Sequence, residues 1–149
     1  MIQRIQTVYL LVAFLASAIL FFSIPVAVFH YTTPVIVDLP FYITSTFQNV
    51  TTIPLLILNV LVAGLSFAAI LLYNKRVLQL RFTMFAFLAN VIMIIVLFLT
   101  ADALQKHLNI EAAYKYGSFL PLVTLVLLIL ASKAIRKDEK LVKGTDRLR

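Results

Sequence analysis

The chain contains no cysteine. Disulfides, thiolate nucleophiles and Cys-ligated metals are therefore excluded. So are the four-helix membrane bundles that pass disulfides to quinone, which need Cys pairs. Charge is scarce as well: 13% of the 149 residues are charged, 62% are hydrophobic, and the mean hydropathy is +1.03. A soluble domain has roughly 25% charged and about 45–50% apolar residues. This chain cannot cover a globular core with polar surface, so lipid is its expected solvent. Six acidic residues against thirteen basic ones give a net charge of +7, a balance that raises the question of nucleic acid. The bases sit at the ends of apolar runs, where they serve as membrane anchors, and no nucleic-acid partner is expected.

Four apolar spans are readable, at about 7–29, 53–73, 82–100 and 118–135. Each reaches the ~20 residues that cross ~30 Å of hydrocarbon at ~1.5 Å per residue. A signal peptide competes for the first span, because Ala16-Ser17-Ala18 resembles a cleavage site. The apolar run continues through residues 19–28 (ILFFSIPVAV), beyond the ~7–15 residues of a cleaved segment, so a retained helix is expected. Arg4, Lys75, Arg76, Arg81 and the seven bases from Lys133 onward fall on one side, and Lys106 and Lys115 on the other. The positive-inside rule then places both termini and the 74–81 link in the cytoplasm. Tyr9 and Tyr73 fall at the inner interface and Tyr31, Tyr42, Tyr114 and Tyr116 at the outer one. Pro54 and Pro121 suit first helical turns.

Two outer loops follow from that layout. Residues 30–52 are rich in β-branched and aromatic side chains, with Pro34 and Pro40 interrupting. Segments 35–37 and 41–44 read as short extended pieces, and the prolines limit any sheet to a small one. Residues 101–117 read as a short amphipathic helix, with Ala101, Leu104, Leu108 and Ala112 on one face.

No ionisable side chain lies in the middle of any span, so a proton relay or ion-coupled carrier lacks its usual group. The polar residues at depth are Ser17, Ser23, Asn59, Ser66, Asn90 and Thr124. Asn59 and Asn90 differ in depth by roughly 9 Å, so they are not expected to pair, and Asn59 lies nearer the level of Ser17. Ser17, Asn59 and Asn90 read as interhelical bonding groups, worth ~0.6 kcal/mol each on average. Ala13-x-x-x-Ser17, Gly64-x-x-x-Ala68 and Ala86-x-x-x-Asn90 read as close helix contacts. On the outer face, His30, Asp38, Asp102, His107 and Glu111 form a conceivable metal or acid–base set, but no HExxH-type spacing occurs. His107 with Glu111 also reads as a solvated helix face. No His pair is placed for haem, and Asn49-Val50-Thr51 matches the short glycosylation pattern. No metal, cofactor or catalytic residue is assigned.

The chain ends on LPLVTLVLLILA at 120–131, followed by a tail with Lys133, Arg136, Lys137, Lys140, Lys143, Arg147 and Arg149. These bases suit anionic lipid or a partner protein. Ala134, Leu141 and Leu148, with Ile135 and Val142, give a partly apolar helical face, and Gly144 is a stop signal. The opening MIQRIQT (1–7) and the closing KAIRKDEKLV (133–142) with DRLR (146–149) resemble a family of small four-helix inner-membrane proteins of Gram-negative bacteria, catalogued as a domain of unknown function. That resemblance implies an inner-membrane location and no established activity. Claudin-like proteins share the layout, but their loop cysteines and tryptophan motif are missing here, leaving an analogy only.

The expected fold is all-α: one domain over 1–149, a polytopic four-transmembrane-helix bundle with a partly extended first outer loop and a basic cytoplasmic C-terminal helix at 136–149. The expected function is a non-enzymatic accessory or scaffold subunit of an envelope complex, with membrane lipids and a membrane protein as partners. Two alternatives stay open. One is a carrier of an apolar ligand with a pocket between helices under the outer loop. The other is a membrane-embedded enzyme using the outer-face histidines.

Overall fold

A computed structural model of the chain describes residues 2–20, 27–30, 36–39, 53–108, 112–114 and 116–146. The elements, in order, are α1 (Ile2–Ile19), β1 (Ala27–His30), β2 (Ile36–Leu39), α2 (Ile53–Leu71), α3 (Arg76–Leu108), β3 (Ala112–Tyr114), a 3-10 turn (Tyr116–Phe119) and α4 (Leu120–Asp146). Helix α1 packs on α4 and α2, α2 on α3, and α3 on α4, so the four helices close a ring. Three of them carry stretches long and apolar enough to cross a membrane: Ile53–Leu71, Arg76–Ala103, and Tyr116–Val142 taken with its 3-10 turn. The apolar part of α1 is shorter, Ile5–Ile19.

A single pattern generates the ring. The buried positions include Gln6, Leu10, Ala13 and Ser17 on α1, with Leu20 just past its end, and Leu55, Asn59, Val62, Ser66 and Ala69 on α2. On α3 they run Gln79, Thr83, Ala86, Asn90, Met93, Leu97 and Thr100; on α4 they run Thr124, Leu128, Ala131, Ile135 and Asp138. The steps alternate four and three. A mean spacing of 3.5 residues keeps one seam facing its neighbours when helices wind around each other with a left-handed twist. Most seam residues are small or polar. Leu10, Leu55, Met93 and Leu128 are buried among them, but many of the large apolar side chains point outward, with Leu99 63% and Phe85 61% exposed. Polarity is thus inverted relative to a soluble bundle. Lipid gives no hydrophobic reward for bringing helices together, so close approach and polar contacts must supply the cohesion.

Two expected elements are corrected. The first span was expected as helix over 7–29, but α1 ends at Ile19 and Ala27–His30 is a strand. Hydropathy alone does not distinguish a lipid-soluble helix from an apolar strand. A proline disfavours helix in the residue before it and lacks a helical donor, so Pro25 is the signal in the sequence against one helix over 7–29. The second outer loop was expected as a separate helix over 101–117. Helix α3 instead runs unbroken to Leu108, and Ala112–Tyr114 is a strand.

The strands form one antiparallel sheet in the order β2-β1-β3. β1 pairs Ala27 with Leu39 and His30 with Ile36, and it pairs Ala27 with Tyr114 and Phe29 with Ala112. The sheet therefore joins the α1–α2 connection to the α3–α4 connection. Tyr114 also stacks on Phe98 of α3, with ring centroids 5.7 Å apart and a 58° tilt. Pro34 and Pro40 lie outside the described residues. The expected extended piece at 41–44 lies outside the described residues.

Pro54 and Pro121 are each the second residue of their helix, α2 and α4, where the missing N–H costs no helical bond. The Gly64-x-x-x-Ala68 contact is corrected too. Gly64 is exposed, and a Cβ built there meets nothing within 4 Å. The α2 seam runs through Asn59, Val62, Ser66 and Ala69 instead. Ala86, by contrast, is fully buried among Leu10, Ala13, Ala69 and Leu128. Gly64→Leu is therefore expected to leave the thermal midpoint in detergent nearly unchanged. Ala86→Leu, which overpacks the seam, is expected to cost about 1–3 kcal/mol. Equal losses from the two variants contradict this assignment of the seams.

Candidate functional site

The candidate residues divide into a polar ladder inside the ring, a basic end and a sheet end. In the ladder, Asn59 Nδ2 donates to the Ser17 carbonyl at 3.2 Å, joining α2 to α1. Asn90 Nδ2 donates to the Pro121 carbonyl at 3.0 Å, joining α3 to α4. The two asparagines thus bond to different helices. Gln6 Nε2 donates to the Ala134 carbonyl at 3.2 Å and joins α1 to α4. Thr83, Thr100 and Thr124 each turn their hydroxyl back to the carbonyl four residues earlier, which satisfies a polar group within its own helix. The Oδ1 atoms of Asn59 and Asn90 and the hydroxyls of Ser17 and Ser66 are buried without a hydrogen-bond partner. None of these groups is a nucleophile with an adjacent base, and their chemistry is that of interhelical fastening.

The basic end is built where α2 turns into α3 and α4 passes alongside. The turn is closed by the Lys75 N–H donating to the Leu72 carbonyl at 2.9 Å, and Lys75 in turn accepts from Gln79 N–H at 2.9 Å to start α3. Arg76 then reaches α4. Its Nε lies 3.4 Å from Asp138 Oδ2, and a terminal nitrogen lies 3.4 Å from the Asp138 backbone carbonyl. The Arg76 side chain is 25% exposed and that of Asp138 10%. The contact is an ion pair rather than a well-aligned hydrogen bond. In the sequence Asp138 is one acidic residue within a basic tail, and Arg76 serves only in the count of bases that sets orientation. The signal that marks Asp138 is its register: it continues the Thr124–Leu128–Ala131–Ile135 seam, while Lys133, Arg136, Lys137 and Lys140 lie off it and are exposed.

The basic residues off the seam face outward along α4, and Leu141 and Val142 are exposed beside them. The side chains of Lys143, Arg147 and Arg149 lie outside the described residues, as does Leu148. A shallow cleft of about 580 Å³ opens between the α2–α3 turn and α4, lined by Asn74, Lys75, Arg76, Val77, Leu78, Glu139 and Val142. Helix α4 itself passes two residues beyond the Gly144 stop signal to Asp146.

At the sheet end, the register sets His30 opposite Ile36 and Asp38 opposite Val28, two residues apart along the ladder. Asp102 is engaged by Lys106, with Nζ to Oδ2 at 2.7 Å on an exposed helical turn. His107 lies in the last turn of α3, and Glu111 lies outside the described residues. Among the described residues, no group of three His, Asp or Glu side chains comes together.

Three membrane-length apolar helices, outward-facing large apolar side chains and a small, polar seam define a helical-bundle protein suited to a membrane. Residues 2–148 match the family described as a domain of unknown function, DUF4293, and the chain belongs to that family. No curated protein matches it.

Breaking the Arg76–Asp138 pair on one side leaves a poorly solvated charge. Arg76→Gln or Asp138→Leu alone is expected to cost about 3 kcal/mol, and the double variant markedly less than the sum. Thermal unfolding of the three variants in one detergent checks this, and strictly additive losses contradict coupling.

Proposed function

We propose that this protein is a non-catalytic scaffold subunit of the bacterial inner membrane, with four spans and both termini in the cytoplasm. The fourth crossing is α1 itself, Ile2–Ile19. Its support is that α1 lies along the ring from Gln6, bonded to Ala134, to Ser17, bonded to Asn59. The bases favour the stated orientation, because Arg76, Arg81, Lys133, Arg136, Lys137 and Lys140 gather at one end of the antiparallel pair α3–α4. Gram-negative origin and an envelope complex extend the same proposal. Its lipid partners include anionic headgroups at the cytoplasmic face, and nucleic acid is not among its partners.

The observation that carries the scaffold reading is the continuity of α4. One helix runs from Leu120 to Asp146 without a break, so the membrane bundle and its basic extension move as one piece. An extension clamped to α3 through Asp138 and presenting Leu141 and Val142 beside exposed bases has the make-up of a docking arm: an apolar centre with a charged rim. Gln6, Asn59 and Asn90 spend their amide donors between helices, which suits fastening rather than substrate chemistry.

Two measurements test this. The absence of cysteine makes single-cysteine labelling clean: positions 75 and 137 are expected to react from the cytoplasmic side and position 106 from the opposite side. Reaction of 75 and 137 from opposite sides overturns the topology. A photocrosslinker at Leu141 in native membranes is expected to give one discrete protein adduct that Val142→Glu abolishes, while a crosslinker at Leu99 gives none. A ladder of adducts insensitive to Val142→Glu, or lipid adducts alone, contradicts the docking arm.

A further inference from the structure

A second surface lies on the outward side of α3, beside the start of the docking arm. Leu80, Arg81, Met84, Phe85 and Leu88 line a groove of about 650 Å³, within the ~300–1,000 Å³ typical of small-molecule sites. Arg81, Met84, Phe85 and Leu88 recur three and four residues apart, so they form one stripe along the helix. The stripe is open: Met84 is 41%, Phe85 61% and Leu88 58% exposed. Its charge is confined to one end. Arg81 precedes the uncharged run 82–101 of α3, and from Arg81 to Leu88 the stripe descends about 10 Å along the helix axis. A second cation joins that end from α4, where a terminal nitrogen of Arg136 lies 3.9 Å from Met84 Sδ.

We propose that this groove holds one anionic glycerophospholipid, its phosphate between Arg81 and Arg136 and an acyl chain along Met84, Phe85 and Leu88. The site rests on the membrane placement proposed above. Guanidinium groups present planar forks of N–H donors that match phosphate oxygens, and both forks sit where a polar headgroup begins. The trough beneath them is apolar, so a free inorganic anion leaves most of it empty. A second copy of this chain is a poor occupant, because a two-fold contact through the same stripe brings the arginine pairs toward each other. A zwitterionic lipid offers the phosphate but adds a cation that the two arginines repel. The headgroup therefore sets the preference and the trough sets the position. A lipid held this way also bridges α3 and α4 near the Arg76–Asp138 pair.

The test uses the full chain, extracted in mild detergent and examined by native mass spectrometry with phosphatidylglycerol and phosphatidylcholine of identical acyl chains. Each basic side chain near the surface contributes close to fivefold, so one phosphatidylglycerol is expected to be retained about thirtyfold more strongly than phosphatidylcholine. Arg81→Gln with Arg136→Gln is expected to abolish the preference, while Lys137→Gln with Lys140→Gln leaves it. Met84→Trp, which fills the trough and keeps both charges, is expected to weaken retention of both lipids. Where the double glutamine variant melts without cooperativity, Arg81→Lys with Arg136→Lys takes its place. That variant is expected to show a reduced preference, because charge is kept and the fork is lost.

Equal retention of the two lipids by the unaltered chain overturns the site. So does equal loss from the Lys137/Lys140 variant, or a dimer that Met84→Trp dissolves. Carbonate extraction of the source membranes separates the two levels of the proposal. A chain washed from the membrane contradicts the placement, whereas a chain that stays embedded without a lipid preference contradicts only the site.

Discussion

The structure depends on a constraint imposed by the solvent of its outer surface. In lipid, burying leucine against leucine gains little, because the acyl chains it leaves are equally apolar. Helices must instead come close enough for dispersion contacts and for polar groups to find partners. The chain meets that demand by placing Ala13, Ala69, Ala86 and Ala131 on the buried seams. It interleaves them with Ser17, Asn59, Ser66, Asn90 and Thr124 and turns Phe85, Leu88 and Leu99 outward. The alternating four-and-three spacing lets all four helices keep such a seam over their shared length. Each interhelical bond contributes modestly. Together with tight packing they set which helices are neighbours, since Gln6, Asn59 and Asn90 fasten α1 to α4, α2 to α1 and α3 to α4.

The ends are held by different means, because water or headgroups reach them. At the basic end a partly buried ion pair between Arg76 and Asp138 fixes α4 to the start of α3. Such a pair is not in itself a source of stability, since desolvation cancels much of the attraction. It does fix register, since an unpaired charge in that position is costly. At the other end the three-stranded sheet joins the two long connections, with β1 in the middle. A helix of 33 residues is about 50 Å long, well beyond ~30 Å of hydrocarbon, and α3 thus projects at both ends to meet these two devices.

Much of this was legible in the sequence because hydropathy and charge placement report on the solvent directly. The cores of the second, third and fourth apolar runs became α2, α3 and α4. The depth argument that set Asn59 near Ser17 and apart from Asn90 agrees with their separate bonds. Other features were hidden for identifiable reasons. Hydropathy does not separate a helix from a strand, so residues 27–30 were absorbed into the first span although Pro25 argued against it. Helical periodicity joined Ala112 to the face of Leu108, but strand pairing with β1 prevailed. The small-xxx-small motif at Gly64 was a spacing without a partner, because such spacings are common in apolar helices. Asp138 was missed because composition placed it among tail charges, whereas its role follows from seam register, which only a count along α4 from Thr124 makes visible.

The inverted seam is the central claim, and the absence of tryptophan makes it directly measurable. Single tryptophans placed along α3 in the full chain, reconstituted with brominated lipid, report lipid contact as fluorescence quenching. Tryptophan at Phe85, Ile95 or Phe98 is expected to be strongly quenched, and tryptophan at Met93 or Leu97 to be shielded, so that quenching oscillates with a period near 3.5 residues. Uniform quenching along α3, or shielding at Phe85 and Phe98 with strong quenching at Met93 and Leu97, contradicts the account.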